Sequence, residues 1–115
     1  MYYLQLISLK DCPYSEAANS LVTNNKINSK ITIVNRNEKD KFKTKEIDTF
    51  PQVYLKKEDS NGSILLGGYT ELKSYYDLVQ SGKNNNDALA NIKNSIKTNQ
   101  NMSDKSILRL IQLLI

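Results

Sequence analysis

Apolar and polar residues follow two different periods along this chain, and the switches between them mark the elements. Tyr2 to Ser8 is a mostly apolar run broken only by Gln5 and Ser8, which predicts a first strand. Asp11-Cys12-Pro13-Tyr14-Ser15 punctuates it, with Pro13 suited to the first turn of a helix, where a missing N–H is no loss. Ala17, Ala18, Leu21 and Val22 recur at helical spacing, so a helix is predicted from Pro13 to about Asn24. The β-branched run Ile31 to Val34 predicts a second strand, and Asn37 is placed to cap a short charged helix through Lys45. Thr49-Phe50-Pro51 ends that helix and opens a third strand, Gln52 to Lys56. Ser60-Asn61-Gly62 between two apolar runs is a hairpin signal, with Ile64 to Leu66 as the returning strand. Gly67-Gly68 closes it, and Thr70 can cap a helix lined by Leu72, Tyr75, Tyr76 and Val79 that stops at Gly82.

The predicted order over residues 1–82 is therefore β-α-β-α-β-β-α. Strands joined through a helix pair in parallel, and the hairpin adds an antiparallel pair. A mixed four-stranded sheet with helices on its faces is the expected closure. Past Gly82 the character changes: Asn84-Asn85-Asn86 reads as a linker or helix cap, followed by Leu89, Ile92 and Ile96 at amphipathic spacing. After a polar break at Thr98 to Asn101, a second apolar helix is predicted from near Ser103. Residues 1–82 thus form the expected domain and residues 83–115 a helical C-terminal extension. Ile107, Leu110, Ile111 and Leu114 follow the i, i+3, i+4, i+7 pattern. Such a stripe either packs back on its own domain or leaves a surface for self-association through residues 103–115.

Composition narrows the chemistry. The chain has 115 residues, room for one core, and a formal net charge of +4. Its densest charge run, Lys39, Lys41, Lys43 and Lys45, is broken by Asp40 and Glu46 and reads as a solvated helix face, so no nucleic-acid partner is expected. The apolar tail is far shorter than the roughly 20 residues a membrane span needs, so no membrane partner is expected either. The first residues lack the basic start of a secretory signal, which sets a cytoplasmic expectation, and in that compartment a lone thiol stays reduced. There is no histidine and one cysteine. That excludes Ser-His-Asp and Cys-His catalysis, an intramolecular disulfide and a Cys/His zinc site, and no metal ligands are expected. Covalent chemistry on a thiol must pass through Cys12.

Cys12 lies between a predicted strand and a predicted helix, where orphan amides and the helix dipole favour thiolate over thiol. Lys10 adds to the same effect. Asp11, Pro13 and Ser15 are not core surroundings, so the position points to a reactive thiol and not an inert apolar one.

Cys12-Pro13-Tyr14-Ser15 resembles the CPYC motif of glutaredoxins with serine in place of the second cysteine. Thr49-Phe50-Pro51 is similar to the family's TVP, whose proline is cis and faces the active cysteine. Leu66-Gly67-Gly68-Tyr69-Thr70-Glu71-Leu72 resembles the segment that holds the γ-glutamyl end of glutathione. The three motifs stand in register across residues 1–82. The resemblance implies a thioredoxin-like three-layer α/β fold and a glutathione-dependent thiol–disulfide oxidoreductase of redox homeostasis, an electron-transfer and deglutathionylation enzyme. It implies Cys12 as nucleophile and Ser15 at the place of the missing resolving thiol. It further implies a glutathione site from Lys10, Cys12, Tyr14, Thr49, Phe50, Pro51, Gly68, Tyr69, Thr70 and Glu71. Glutathione would be co-substrate, and glutathionylated proteins the partners.

Three departures from the pattern shape that reading. Glu71 stands where relatives usually carry Asp. Leu9 stands where they place a basic residue for the glycine carboxylate of glutathione, a task left to Lys10, Lys43 or Lys45. Ser15 cannot resolve a mixed disulfide, so the monothiol route remains, with the Ser15 hydroxyl as a hydrogen-bond donor to the Cys12 thiolate. Two alternatives stand beside it. One is a dithiol enzyme carrying an engineered Cys-to-Ser change at residue 15. The other is a [2Fe–2S] carrier using Cys12 and glutathione, against which Pro13 stiffens the loop where cluster-binding relatives have glycine.

Overall fold

The computed structural model describes residues 1–82, 85–99 and 102–115. Strand β1 (Tyr2–Leu9) leads through α1 (Pro13–Asn24) to β2 (Ser29–Val34), and a 3₁₀ segment (Arg36–Phe42) precedes β3 (Gln52–Lys57) and β4 (Ser63–Gly67). Helices α2 (Tyr69–Gly82), α3 (Asn86–Asn99) and α4 (Asp104–Leu114) follow. The sheet order is β2-β1-β3-β4, with β2 parallel to β1 and the other two pairs antiparallel. This is the mixed sheet flanked by helices that the pattern predicts.

The core sits on one face of that sheet. Alternation along β1 and β3 turns Leu4, Leu6, Val53 and Leu55 to the same side, where they join buried residues of all four α-helices in one cluster. Tyr3, Leu9 and Val34 are buried on the other side, outside that cluster. On that side the Phe42 carbonyl, at the end of the 3₁₀ segment, accepts a 2.8 Å bond from the buried Gln52 side chain. At the edge of the sheet Ile31 and Ile33 stay exposed.

Helices α3 and α4 are built into the same core. Ile92 and Ile96 of α3, Met102, and Ile107, Leu110, Ile111 and Leu114 of α4 all belong to the cluster. Each such side chain contributes roughly 1.5–3 kcal/mol when fully buried. Ser103 caps α4 by accepting the Ser106 amide at 3.2 Å, and the Leu114 carbonyl accepts from Gln80 of α2 at 2.6 Å. The apolar stripe that suggested self-association is therefore spent on the chain's own core, leaving Leu108 and Ile115 exposed. No helix among the described residues is long and apolar enough to cross a membrane.

Several predicted boundaries shift, each for a local reason. The charged stretch is not an α-helix from Asn37 to Lys45 but a 3₁₀ segment that starts after Asn35. It buries no residue, so nothing holds a longer helix, and its ion pairs Glu38–Lys41 and Asp40–Lys43 have the i, i+3 spacing that a 3₁₀ turn brings together. The hairpin reverses at Asp59 (φ 66°), ahead of Ser60-Asn61-Gly62. The α2 cap is Gly68 and not Thr70: its carbonyl accepts the Leu72 amide at 3.1 Å. Asn85 caps α3, its Oδ1 accepting the Asp87 amide at 3.0 Å, while Asn84 and residues 100–101 of the polar break lie outside the described residues.

Candidate active site

Topology brings four separated pieces of chain to one end of the sheet. The C-terminal ends of the parallel strands β1 and β2 lead into Cys12 and Arg36. Because β3 runs antiparallel to β1, its start at Pro51 and Gln52 lies beside the end of β1. The end of β4 returns to the same place, where Gly67 pairs with Val53.

Asp11 turns the chain from β1 into α1 with φ 59°, a left-handed conformation that Asp tolerates better than most residues. Arg36 secures that turn, its Nη2 donating to the Asp11 carbonyl at 2.8 Å. Cys12 then occupies the N-cap of α1 in an extended conformation, Pro13 opens the helix, and the Glu16 amide closes the first turn on the Cys12 carbonyl at 2.9 Å.

Around the sulfur the forces oppose one another. Burial pushes the Cys12 thiol up. The Ser15 amide, the Ser15 hydroxyl, the Tyr14 amide and the Arg36 charge outweigh it and hold its pKa below the ordinary cysteine value. Donors and a positive charge beside a sulfur favour its anion over the neutral thiol. Ser15 is fully buried, and its oxygen accepts the Leu9 amide at 2.9 Å. Accepting that bond leaves the hydroxyl able to donate, and its hydrogen bond to Cys12 is one of the influences that lower the thiol's pKa.

Beside the cysteine opens a cleft of about 470 Å³. Among the predicted site residues, Tyr14, Thr49, Phe50, Pro51, Gly68, Tyr69, Thr70 and Glu71 all line it. The Phe50–Pro51 peptide is cis. Tyr14 is 64% exposed, and its ring centroid lies 6.5 Å from that of Tyr69 across the cleft. Gly67 has φ 130°, and a Cβ there would meet Glu71 Oε1 at 2.6 Å. The Glu71 carboxylate instead folds back to accept the Gly68 amide at 3.2 Å, half of a capping box. A Cβ on Gly68 would stand 3.5 Å from the Pro51 carbonyl oxygen, an ordinary contact.

Other predicted residues fall elsewhere. Cys12 and Ser15 are not in the cleft wall; Tyr14 connects them to it. Lys10, Lys43 and Lys45 do not line the cleft, and Lys43 is paired with Asp40 at 3.1 Å. The cation set against the sulfur is Arg36, which pattern reading missed. Parallel pairing of β1 with β2 was the available signal, since it sets whatever follows Val34 beside whatever follows Leu9. Also missed were Glu46 and Asp48, which with Glu71 give the cleft wall three carboxylates and no lysine or arginine. Among the described residues no group of His, Cys, Asp or Glu is arranged to hold a metal ion.

A cysteine-capped helix facing a cis-proline cleft, on a mixed four-stranded sheet flanked by helices, defines a thioredoxin-like α/β fold. Among solved structures the chain is similar to glutaredoxin 1 from Francisella tularensis complexed with cacodylate. The likeness has a TM-score of 0.53 at 24% sequence identity, covering 70% of this chain and 99% of that one. No protein-family model and no curated protein matches the sequence.

Proposed function

We propose that this protein is a glutathione-dependent thiol–disulfide oxidoreductase that works by a monothiol route. The observation that carries this reading is Cys12 at the start of α1, its pKa lowered, next to the cleft of Pro51 and Gly68. The Cys12 thiolate attacks the glutathione sulfur of a protein–glutathione disulfide. A new disulfide forms between Cys12 and glutathione, and the protein thiolate leaves and takes a proton from water. A second glutathione thiolate then attacks the glutathione sulfur on Cys12, releasing oxidised glutathione and regenerating the Cys12 thiolate. The net exchange converts the mixed disulfide and one free glutathione into the protein thiol and oxidised glutathione.

The cleft suits a short extended peptide next to that sulfur. The amides of Tyr69 and Thr70 at the start of α2 suit the γ-glutamyl carboxylate, and the Glu71 oxygen not engaged by Gly68 suits its ammonium. The Phe50 backbone suits the cysteinyl unit, and Tyr14 and Tyr69 flank it. Lys10 and Arg36 are the cations for the glycine carboxylate. The dithiol alternative has less support, because the Ser15 oxygen takes the Leu9 amide at 2.9 Å, a bond for which sulfur is a poor acceptor.

The test is turnover of a glutathionylated peptide with glutathione and a recycling reductase, with Cys12→Ser as the blank. Turnover that depends on Cys12 is expected. Stable glutathione on Cys12 without turnover would indicate a trapped dithiol enzyme, and no adduct at all would overturn the assignment. A visible absorbance band in anaerobically purified protein would instead favour cluster carriage.

A further inference from the structure

The end of the sheet remote from Cys12 carries a second cleft, of about 320 Å³, where the start of β1 and the end of β3 meet α4. Tyr2, Lys57, Lys105, Arg109, Gln112 and Leu113 line it. Tyr2 and Leu9 are at opposite ends of β1, roughly 23 Å apart at about 3.3 Å per residue, so this cleft is separate from the thiol.

Three cations face this cleft, and no carboxylate lines it. Among the described residues, none of Lys57, Lys105 and Arg109 takes part in an ion pair. Asp104, next to Lys105 in the chain, is held instead by Lys93 at 3.5 Å and Lys97 at 3.1 Å. Arg109 donates to Gln112 Oε1 at 3.1 Å and sets its guanidinium 6.0 Å from the centre of the Tyr2 ring. One N–H of its fork is thereby used and the guanidinium is braced, with further donors left for a ligand. Gathered like charges with no counter-charge repel one another, and an anion placed among them relieves that repulsion. Tyr2 and Leu113, both half-buried, supply apolar surface beside the charges. The volume is at the lower end of the range for small-molecule sites.

The geometry points to a binding site for a phosphate group carried on a small apolar or aromatic body, with a nucleoside monophosphate as the simplest representative. Arg109 supplies planar donors to the phosphate oxygens, Lys57 and Lys105 supply point charges, and the Tyr2 ring and Leu113 take the organic body. The site does not depend on the thiol chemistry proposed for Cys12.

The test titrates AMP, adenosine and inorganic phosphate separately into the isotope-labelled full chain and follows backbone amide resonances. AMP should shift Tyr2, Lys57, Lys105 and Arg109 saturably, with an affinity that falls as salt rises. Adenosine and phosphate alone should each bind at least roughly tenfold more weakly. Lys57→Glu with Lys105→Glu should weaken AMP roughly tenfold or more while melting temperature and Cys12 alkylation rate stay unchanged. Arg109→Lys, which keeps the charge and loses the fork, should also weaken it. Shifts confined to Lys39–Lys45 or to the cleft beside Cys12, no saturation, or equal AMP affinity in the double variant would overturn the site. Phosphate binding as tightly as AMP would overturn the organic body. Capture by phosphatidic-acid vesicles without AMP binding would replace the free ligand with a lipid headgroup.

Discussion

Replacing Ser15 with alanine separates the two tasks of one buried hydroxyl. Its oxygen accepts the Leu9 amide at 2.9 Å, and its proton favours the Cys12 thiolate. Removing the acceptor leaves a buried N–H without that partner, which costs about 1–3 kcal/mol of stability. Removing the donor forfeits a hydrogen bond to a charged group, worth about 1.5–3 kcal/mol. Since about 1.4 kcal/mol is a factor of ten in an equilibrium constant, the thiolate fraction of Cys12 at a fixed pH below its pKa should fall roughly tenfold or more. The assay is the pH dependence of the Cys12 alkylation rate, read together with a urea melt of the same variant. The alkylation profile of Ser15→Ala should move to higher pH and the urea midpoint should drop. Arg36→Gln should move the profile the same way by less, because Arg36 is the last and smallest of the influences that lower it. An alkylation profile in Ser15→Ala that overlays the parent's would refute the role assigned to the hydroxyl, whatever happens to stability.

Other consequences can be checked independently. Because the Cys12 pKa is lower folded than unfolded, the unfolded chain binds more protons between the two values. The urea stability of the parent relative to Cys12→Ser should therefore rise with pH from the folded value up to the ordinary cysteine range, level off above it, and vanish as pH falls through the folded value. Gly67→Ala should cost about 2 kcal/mol, from φ 130° and the collision with Glu71, whereas Gly68→Ala should melt normally and raise the KM for glutathione in the turnover assay. Lys26 ends α1 with φ 55°, so Lys26→Gly should add about 1 kcal/mol and raise the melting temperature by roughly 4 °C. With Glu46, Asp48 and Glu71 in the cleft wall, a lysine-flanked glutathionylated peptide should turn over faster than an aspartate-flanked one at low salt. Salt, or Glu46→Gln with Asp48→Asn, should erase that preference.

What could be read in advance was whatever has a local cause. Pro13 marks the start of α1, the β-branched run marks β2, Gly67-Gly68 marks the turn into α2, and the stripe from Ile107 to Leu114 marks α4. Tyr14, Thr49, Phe50, Pro51 and Gly68 to Glu71 of the cleft wall were legible because three short motifs carry them. What escaped depends on partners distant in the chain. Arg36 reaches Asp11 only through the β1–β2 pairing, 25 positions away. Periodicity alone could not show that all four α-helices share one face of the sheet, or that the stretch near Asn37 would wind as a 3₁₀ segment for want of a buried side chain. The cap of α2 was misplaced because the Glu71 side chain satisfies Gly68, a bond that competes with Thr70 capping.

The packing of α4 on β1 has a consequence for the order in which a ribosome makes this chain. β1 emerges well ahead of α4, yet its Tyr2 ring meets Arg109, and its Leu4 and Leu6 share a core with Leu110 and Leu114. A nascent chain that has reached only Gly82 holds every residue of the candidate site but lacks the part of the core that α3 and α4 supply. Apolar surface left open in this way favours aggregation, and the core as it stands closes only once residues 104–114 have left the tunnel.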